Sequence, residues 1–187
     1  MTRFPVLLLF IALTGTIKHF GQGTEFYKEE ITFAIRDNFL YVNGIYFLKS
    51  DKSLEIPLIY PFPSDSLYGP VDSIIIINQT TNQAIENWRT MKSGIVFSLH
   101  LDSLLSTELW ISYRQQLKGR QAEYILLSTK AWQKPLSEAN YRLLVPIDLK
   151  ILQFSIQPDT MTIHGDTKLY YWRMKKYFPD RNMIFTF

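Results

Sequence analysis

The chain has 187 residues, a formal net charge of +3 and no cysteine. The lack of cysteine excludes disulfide bonds and a lipid-anchored cysteine, so burial alone must hold the fold together. Removal of residues 1–23 would take away Arg3 and Lys18 but no acidic residue, which would lower the net charge to +1. We therefore expect no global positive field aimed at nucleic acid.

The first 23 residues have the layout of a secretory signal peptide. Arg3 supplies a short basic start, and the apolar run 6–13 is too short to span a bilayer as a helix. The triplet 21–23 then places glycines at the two positions that a signal peptidase reads. We predict cleavage after residue 23 and export of residues 24–187, as one domain, to the periplasm, cell surface or medium. The alternative interpretation is a buried N-terminal strand.

Three strands are predicted in the first third of the exported chain. The segment 25–35 places apolar residues on one parity, and the segment 54–60 alternates in the same way. The segment 39–49 is apolar on both parities, which is typical of a strand in the middle of a sheet. The polar run 50–53 is predicted to be a hairpin turn between the second and third strands.

The rest of the chain continues as short strands separated by turns. Residues 64–73, rich in Ser, Asp, Gly and Pro, are predicted to form a loop, and residues 130–140 are the one place for a single helical turn. His164-Gly165-Asp166 is a predicted hairpin turn. The fold class predicted is therefore all-β, an antiparallel β-sandwich of the immunoglobulin-like type with little or no helix. The further strand-like runs are 74–77, 95–101, 109–117, 122–128, 141–145, 152–156, 160–163, 168–172 and 183–187.

The residues that catalysis would need are few. Only His100 and His164 remain after the leader, at no ligand-like spacing, and the motifs of serine hydrolases, zinc proteases and phosphate-binding loops are missing. Glu29 and Glu30 are adjacent, so on a strand they point to opposite faces and cannot work as an acid–base pair. We expect no enzyme activity, no cofactor and no metal site.

Binding residues are sought among the aromatic side chains. Tyr60-Pro61-Phe62-Pro63 is a stiff segment that would present Tyr60 and Phe62 as an aromatic ridge or fold over the core as a strand end. Trp132 lies in a polar loop, where binding residues collect. We predict Trp132, Tyr60 and Phe62 as contact residues for a partner or glycan. The segment 170–178 interleaves basic and aromatic residues, which fits a solvated strand end or a contact with an anionic glycan or lipid headgroup.

These features favour an exported, non-catalytic binding or structural module of the cell envelope, whose partner is an envelope protein or a glycan and not a nucleic acid. One alternative is a small outer-membrane β-barrel, because the last strand, with Met183, Phe185 and Phe187 at alternating positions, resembles the assembly signal of such proteins. The three prolines between residues 57 and 63 argue against it. The second alternative is a carbohydrate-binding module.

Overall fold

The computed structural model describes residues 23–103 and 105–187, so the predicted signal peptide lies outside the described residues except for Gly23. The described residues form fourteen strands and one short 3₁₀ helix, Leu127–Trp132, which confirms the all-β prediction. No helix in this part of the chain is both long and apolar enough to cross a membrane. The strands are β1 (Thr24–Arg36), β2 (Phe39–Ser50), β3 (Leu54–Pro61), β4 (Tyr68–Asn78), β5 (Gln83–Ala84), β6 (Arg89–Met91), β7 (Gly94–Leu101), β8 (Thr107–Leu117), β9 (Gln121–Tyr124), β10 (Leu136–Pro146), β11 (Gln153–Phe154), β12 (Thr160–His164), β13 (Thr167–Tyr177) and β14 (Met183–Thr186).

The strands are arranged as a large sheet covered on one face by two small ones. The large sheet has eight strands in the order β12-β13-β10-β1-β2-β8-β4-β5. The small sheets are β11-β14-β9 and β3-β7-β6. Strand pairs are antiparallel except that β1 and β10 run parallel. The sandwich is therefore confirmed, with one parallel pair at the centre of its large sheet.

The core lies between the large sheet and the two small sheets. On β1, Ile31, Phe33 and Ile35 are buried, as their shared parity predicts. The ring of Phe33 lies 5.2 Å from that of Tyr124 on β9 and 5.5 Å from that of Phe185 on β14, measured between centroids. Such tilted and edge-on ring contacts are the favoured geometries for aromatic pairs, so they stabilise the contact between the layers.

Strand β2 lies in the middle of the large sheet, between β1 and β8, as its two apolar parities predict. Leu40 and Val42 on one parity are fully buried against the small sheets. Phe39, Tyr41 and Phe47 on the other parity are only half-buried. The large sheet thus has an inner face, which forms the core, and an outer face that carries partly exposed aromatic rings.

The predicted hairpin between the second and third strands is wrong. Both edges of β2 are hydrogen-bonded, to β1 and β8, so no edge remains for β3, which pairs with β7 in a small sheet. Residues 50–53 are the corner at which the chain passes from one layer to the other. The inner faces of β2 and β3 then face each other, and the hydroxyl oxygens of Tyr46 and Tyr60 lie 2.6 Å apart. Because β3 is an edge strand, it tolerates Pro57.

The predicted loop 64–73 is also wrong in part, because β4 begins at Tyr68. The pairing of β4 with β8 shifts register between Tyr68 and Val71 and again between Asp72 and Ile75. Such irregularities let a strand continue past residues that do not fit the regular hydrogen-bond pattern between two strands. Over this part β4 has a neighbour on one side only, since β5 pairs with just its last two residues. Pro70 of β4 has no N–H to donate, and a free edge accommodates such a residue.

The helical turn falls earlier than predicted. The 3₁₀ helix ends at Trp132, and Gln133 follows in a left-handed conformation with φ of 56°. Strand β10 begins at Leu136, directly after Pro135, so the predicted turn over residues 130–140 is confined to its first three residues. Pro135 cannot continue a helix, and the chain leaves it as a strand.

Candidate functional site

The outer face of the large sheet brings polar and aromatic side chains from five strands into two adjacent rows. The register of the strand pairs places each side chain opposite its neighbour in the row. The first row, in order across the sheet, is Trp110, Ile45, Glu30, Asn140 and Arg173. The second row is Ser112, Asn43, Thr32, Arg142 and Tyr171.

All residues of these rows except Ser112 line a cleft of about 440 Å³, which we call the outer cleft. Its walls include Trp110 of β8 at one end and Tyr171 of β13 at the other. These two strands are four spacings apart in the sheet, which at about 4.8 Å per spacing places the aromatic ends roughly 19 Å apart. The outer cleft is therefore long enough for an extended chain-like ligand.

The acidic side chains of the outer cleft are already paired. Glu30 accepts an ion pair from the Lys28 ammonium group at 2.7 Å, and this hydrogen bond raises the pKa of Lys28. The Asn140 side-chain amide donates to Glu138 at 2.7 Å. Lys28 thus compensates the charge of Glu30, whereas Glu138 has a neutral hydrogen-bond donor and keeps its negative charge.

The arginines on this face divide into two groups. Arg36 lies over the Tyr41 ring at 4.6 Å, and Arg114 lies over the Phe39 ring at 4.7 Å, so both contact the protein itself. Within residues 23–103 and 105–187, the guanidinium groups of Arg142 and Arg173 have neither an ion pair nor a side-chain hydrogen bond nor a ring partner. The outer cleft therefore holds two guanidinium groups that have no direct ion-pair partner among the described residues, although the carboxylates of Glu30 and Glu138 line the same cleft.

The two arginines are neighbours across the β10–β13 pair. Arg142 lies opposite Tyr171, and Asn140 lies opposite Arg173, so the arginines occupy a diagonal position. Diagonal Cβ atoms on one sheet face are about 7–8 Å apart, within reach for long side chains. Two guanidinium forks at this separation can hold one anionic group between them or two anionic groups in succession.

The three residues predicted from the sequence lie elsewhere. Tyr60 and Phe62 are buried, with exposures of 8% and 7%, so the Tyr60–Pro63 segment is a strand end folded over the core. Trp132 is half-buried on the 3₁₀ helix, and its ring lies 5.9 Å from that of Phe26. Trp132 and Tyr60 line the same interior cavity, and Phe62 packs against Tyr60 at 5.6 Å. These three residues are therefore close to one another but away from the outer cleft.

The interior cavity has a volume of about 80 Å³ and lies between the inner face of the large sheet and β3, β9 and the 3₁₀ helix. Glu29, only 1% exposed, lines it and accepts a hydrogen bond from the Tyr141 hydroxyl. Burial raises the pKa of Glu29 to about 7, an effect that the Tyr141 hydrogen bond partly opposes. The Tyr46 hydroxyl bridges those of Tyr60 at 2.6 Å and Tyr124 at 3.0 Å.

The two histidines among the described residues lie outside both cavities. His100 is exposed on β7, and His164 is exposed at the end of β12. Strands β12 and β13 pair as an antiparallel hairpin around Gly165, which confirms the predicted turn. Among the described residues, no cluster of three or more His, Cys, Asp or Glu side chains has the arrangement that would hold a metal ion.

The sequence of β10 contains a signal for the outer cleft. On β10, Glu138, Asn140 and Arg142 alternate with the buried Ala139 and Tyr141, which marks a polar strand face. The segment 170–178 shows its basic and aromatic character in the sequence, but Arg173 and Tyr171 form a site only because β13 pairs with β10. The alternation identifies the face of each strand, whereas the site depends on which strands are neighbours.

Comparisons with known proteins give a likeness in fold only. No family model matches the chain, and no curated protein matches it. A candidate nutrient-binding protein from Legionella pneumophila matches in structure with a TM-score of 0.67 and 11% identity over 88% of this chain and 66% of that one. The M1 zinc metallopeptidase from Deinococcus radiodurans matches with a TM-score of 0.53 and 14% identity over 89% of this chain. The chain spans 43% of that enzyme's length and just under two thirds of the Legionella protein. At these identities the matches show a shared β-rich fold.

Proposed function

We propose that the chain is an exported, non-catalytic binding module that holds an acidic oligosaccharide in the outer cleft. The observation that carries the proposal is the pair of unpartnered guanidinium groups, Arg142 and Arg173, on a face where the other arginines contact rings. Guanidinium groups form strong, charge-assisted hydrogen bonds with carboxylates and sulfates. A ligand that brings its own negative charge would complete the site.

The other side chains of the outer cleft favour a saccharide as the carrier of that charge. Asn140, Asn43 and Thr32 offer amide and hydroxyl groups that hydrogen-bond to sugar hydroxyls. The half-buried rings of Trp110 and Tyr171 combine a flat apolar face with a polar edge, as stacking on a sugar requires. The likeness in fold to a candidate nutrient-binding protein supports a role in binding.

Export is part of the same proposal. Strand β1 starts at Thr24, so cleavage after Gly23 would leave every strand intact. The cost is one hydrogen bond, from the Asp51 backbone N–H to the Gly23 carbonyl at 2.8 Å. N-terminal sequencing of the exported protein should give Thr24 as its first residue, and an uncleaved, retained chain would contradict export.

Calorimetric titration with tetrasaccharides tests the binding role. We expect tetragalacturonate to bind and a neutral tetrasaccharide, cellotetraose, to bind far more weakly. Replacement of Arg142 or Arg173 by Ala should weaken tetragalacturonate binding by about tenfold or more, because a hydrogen bond to a charged group contributes about 1.5–3 kcal/mol. Arg36→Ala is the matched control, since Arg36 is on the same face but lies over Tyr41, and it should change the affinity little.

Three results would overturn the proposal. Equal affinity for the neutral and acidic tetrasaccharides would remove the role of charge. A larger effect of Trp132→Ala than of the arginine variants would move the site to the interior cavity. Tighter binding of a single-stranded oligonucleotide, again dependent on Arg142 and Arg173, would assign the outer cleft to nucleic acid.

A further inference from the structure

Glu29 is a buried acid that has no ion-pair partner within residues 23–103 and 105–187. Its side chain is on the inner face of β1, and it is the one charged residue among the side chains that line the interior cavity. Tyr141 donates a hydrogen bond to it, but a hydroxyl group cannot neutralise a carboxylate. A buried carboxylate is costly unless a proton or a cation compensates it.

The cavity walls are suited to a cation. The aromatic rings of Phe26, Tyr46, Tyr60 and Trp132 line it, and ring faces attract positive charge. Ser128 and Thr129 of the 3₁₀ helix add hydroxyl groups to the lining.

We propose that the interior cavity binds a small primary ammonium ion, with Glu29 as its counter-ion and the aromatic rings as its walls. This inference stands independently of the saccharide proposal, because it concerns the opposite face of the large sheet, and the two cavities have no lining residue in common. The bound group would be an alkylammonium ion of one or two carbons, or the amine end of a larger molecule.

The size of the cavity suits a small ligand. Its volume of about 80 Å³ exceeds what one water molecule requires, so a group of a few heavy atoms fits. Methylammonium and ethylammonium are ligands of that size. The half-buried Trp132 places the edge of the wall at the protein surface, on the side of the 3₁₀ helix.

Ammonium binding should depend on pH through Glu29. The group is largely protonated below pH 7, and it must lose its proton to act as a counter-ion. The side chains that face it are phenols, whose pKa values are raised by burial, so they stay neutral up to pH 10. They are Tyr46 of β2, Tyr60 of β3, Tyr124 of β9, Tyr141 of β10 and Tyr177 of β13.

The experiment is calorimetric titration of the full chain with ethylammonium chloride, with ethanol as the neutral probe of similar shape. Binding should be about tenfold weaker at pH 6 than at pH 8, because each pH unit below the pKa of an acid reduces its ionised fraction about tenfold. At pH 6, each binding event should release close to one proton, which two buffers of different ionisation enthalpy reveal. Glu29→Gln keeps an acceptor for Tyr141 and should abolish both the binding and the proton release.

Two outcomes would overturn this inference. Ethanol binding as tightly as ethylammonium, or ethylammonium binding unchanged in Glu29→Gln, would show that charge has no part in the site. Sodium chloride serves as the salt control. If ethylammonium chloride gave no more heat than sodium chloride at any pH and concentration tested, the cavity would bind no ammonium ion. The proton-release measurement uses the wild-type chain, so it decides the matter even if the variant does not fold.

Discussion

At the scale of single residues, Glu29 and Glu30 show how one strand gives neighbouring identical side chains different properties. Glu30 lies on the outer face and pairs with Lys28 in contact with solvent. Glu29 lies on the inner face at 1% exposure, and burial raises its pKa from 4.5 to about 7. The alternation of a strand predicts that the two point in opposite directions, and the structure confirms it.

The raised pKa of Glu29 makes stability depend on pH. Below pH 4.5 the carboxyl group is protonated in both the folded and unfolded states and costs nothing. Between pH 4.5 and 7 the unfolded state releases the proton while the folded state retains it, so the free energy of unfolding falls as pH rises. Above pH 7 the loss reaches its full value of about 3 kcal/mol, since one pKa unit corresponds to about 1.4 kcal/mol.

Urea denaturation at pH 5 and pH 8 tests this dependence. Glu29→Gln should lose about 2.5 kcal/mol less than the wild type between these two values, because glutamine does not ionise. Glu30→Gln is the matched control and should retain the wild-type dependence. If the free energy of unfolding changed equally in the wild type and in Glu29→Gln between pH 5 and pH 8, Glu29 would ionise in the folded state as it does in a peptide.

At the scale of elements, the contact between β3 and β7 depends on a glycine. Gly94 begins β7 opposite Pro61, where the two backbones come very close. A Cβ atom at this position would lie 3.0 Å from the Pro61 Cα and closer still to the Tyr60 carbonyl oxygen. Backbone atoms cannot move aside as a flexible side chain can.

Gly94→Ala should therefore destabilise the protein by about 1–3 kcal/mol, the usual cost of overpacking. The lowered midpoint of urea denaturation measures this loss. Gly119→Ala is the control, because its Cβ would make an ordinary contact of 3.4 Å with a side-chain carbon of Leu67. Equal midpoints for the two variants would contradict the close approach of the β3 and β7 backbones at Gly94.

The elements also show what the sequence could predict and what it could not. The alternation within β1, β3 and β7 identified these strands because burial of one face acts on every second residue. The pairing of β2 with β3 was wrong because the local pattern cannot tell a hairpin from a corner. The edges of β2 belong to β1 and to β8, which is more than fifty residues away in the chain, and no short-range signal reports that.

At the scale of the whole molecule, the parallel pairing of β1 with β10 joins the beginning and the later part of the chain. It places Glu30 opposite Asn140 and Thr32 opposite Arg142, and thereby assembles the outer cleft. The strand order that does this combines contacts across more than a hundred residues. The sequence alone therefore could not predict the outer cleft, although the alternation of residues indicates the polar faces of the strands that form it.

The central claim is that the outer face of the large sheet is the ligand-binding surface. The most direct test is an NMR titration with tetragalacturonate that follows the backbone amide resonances. The largest shifts should fall on β10 and β13 around Arg142 and Arg173, with smaller ones on β1 and on β8 near Trp110. Shifts concentrated on β3 and the 3₁₀ helix around Trp132, or no shifts at concentrations that saturate the calorimetric signal, would contradict this assignment.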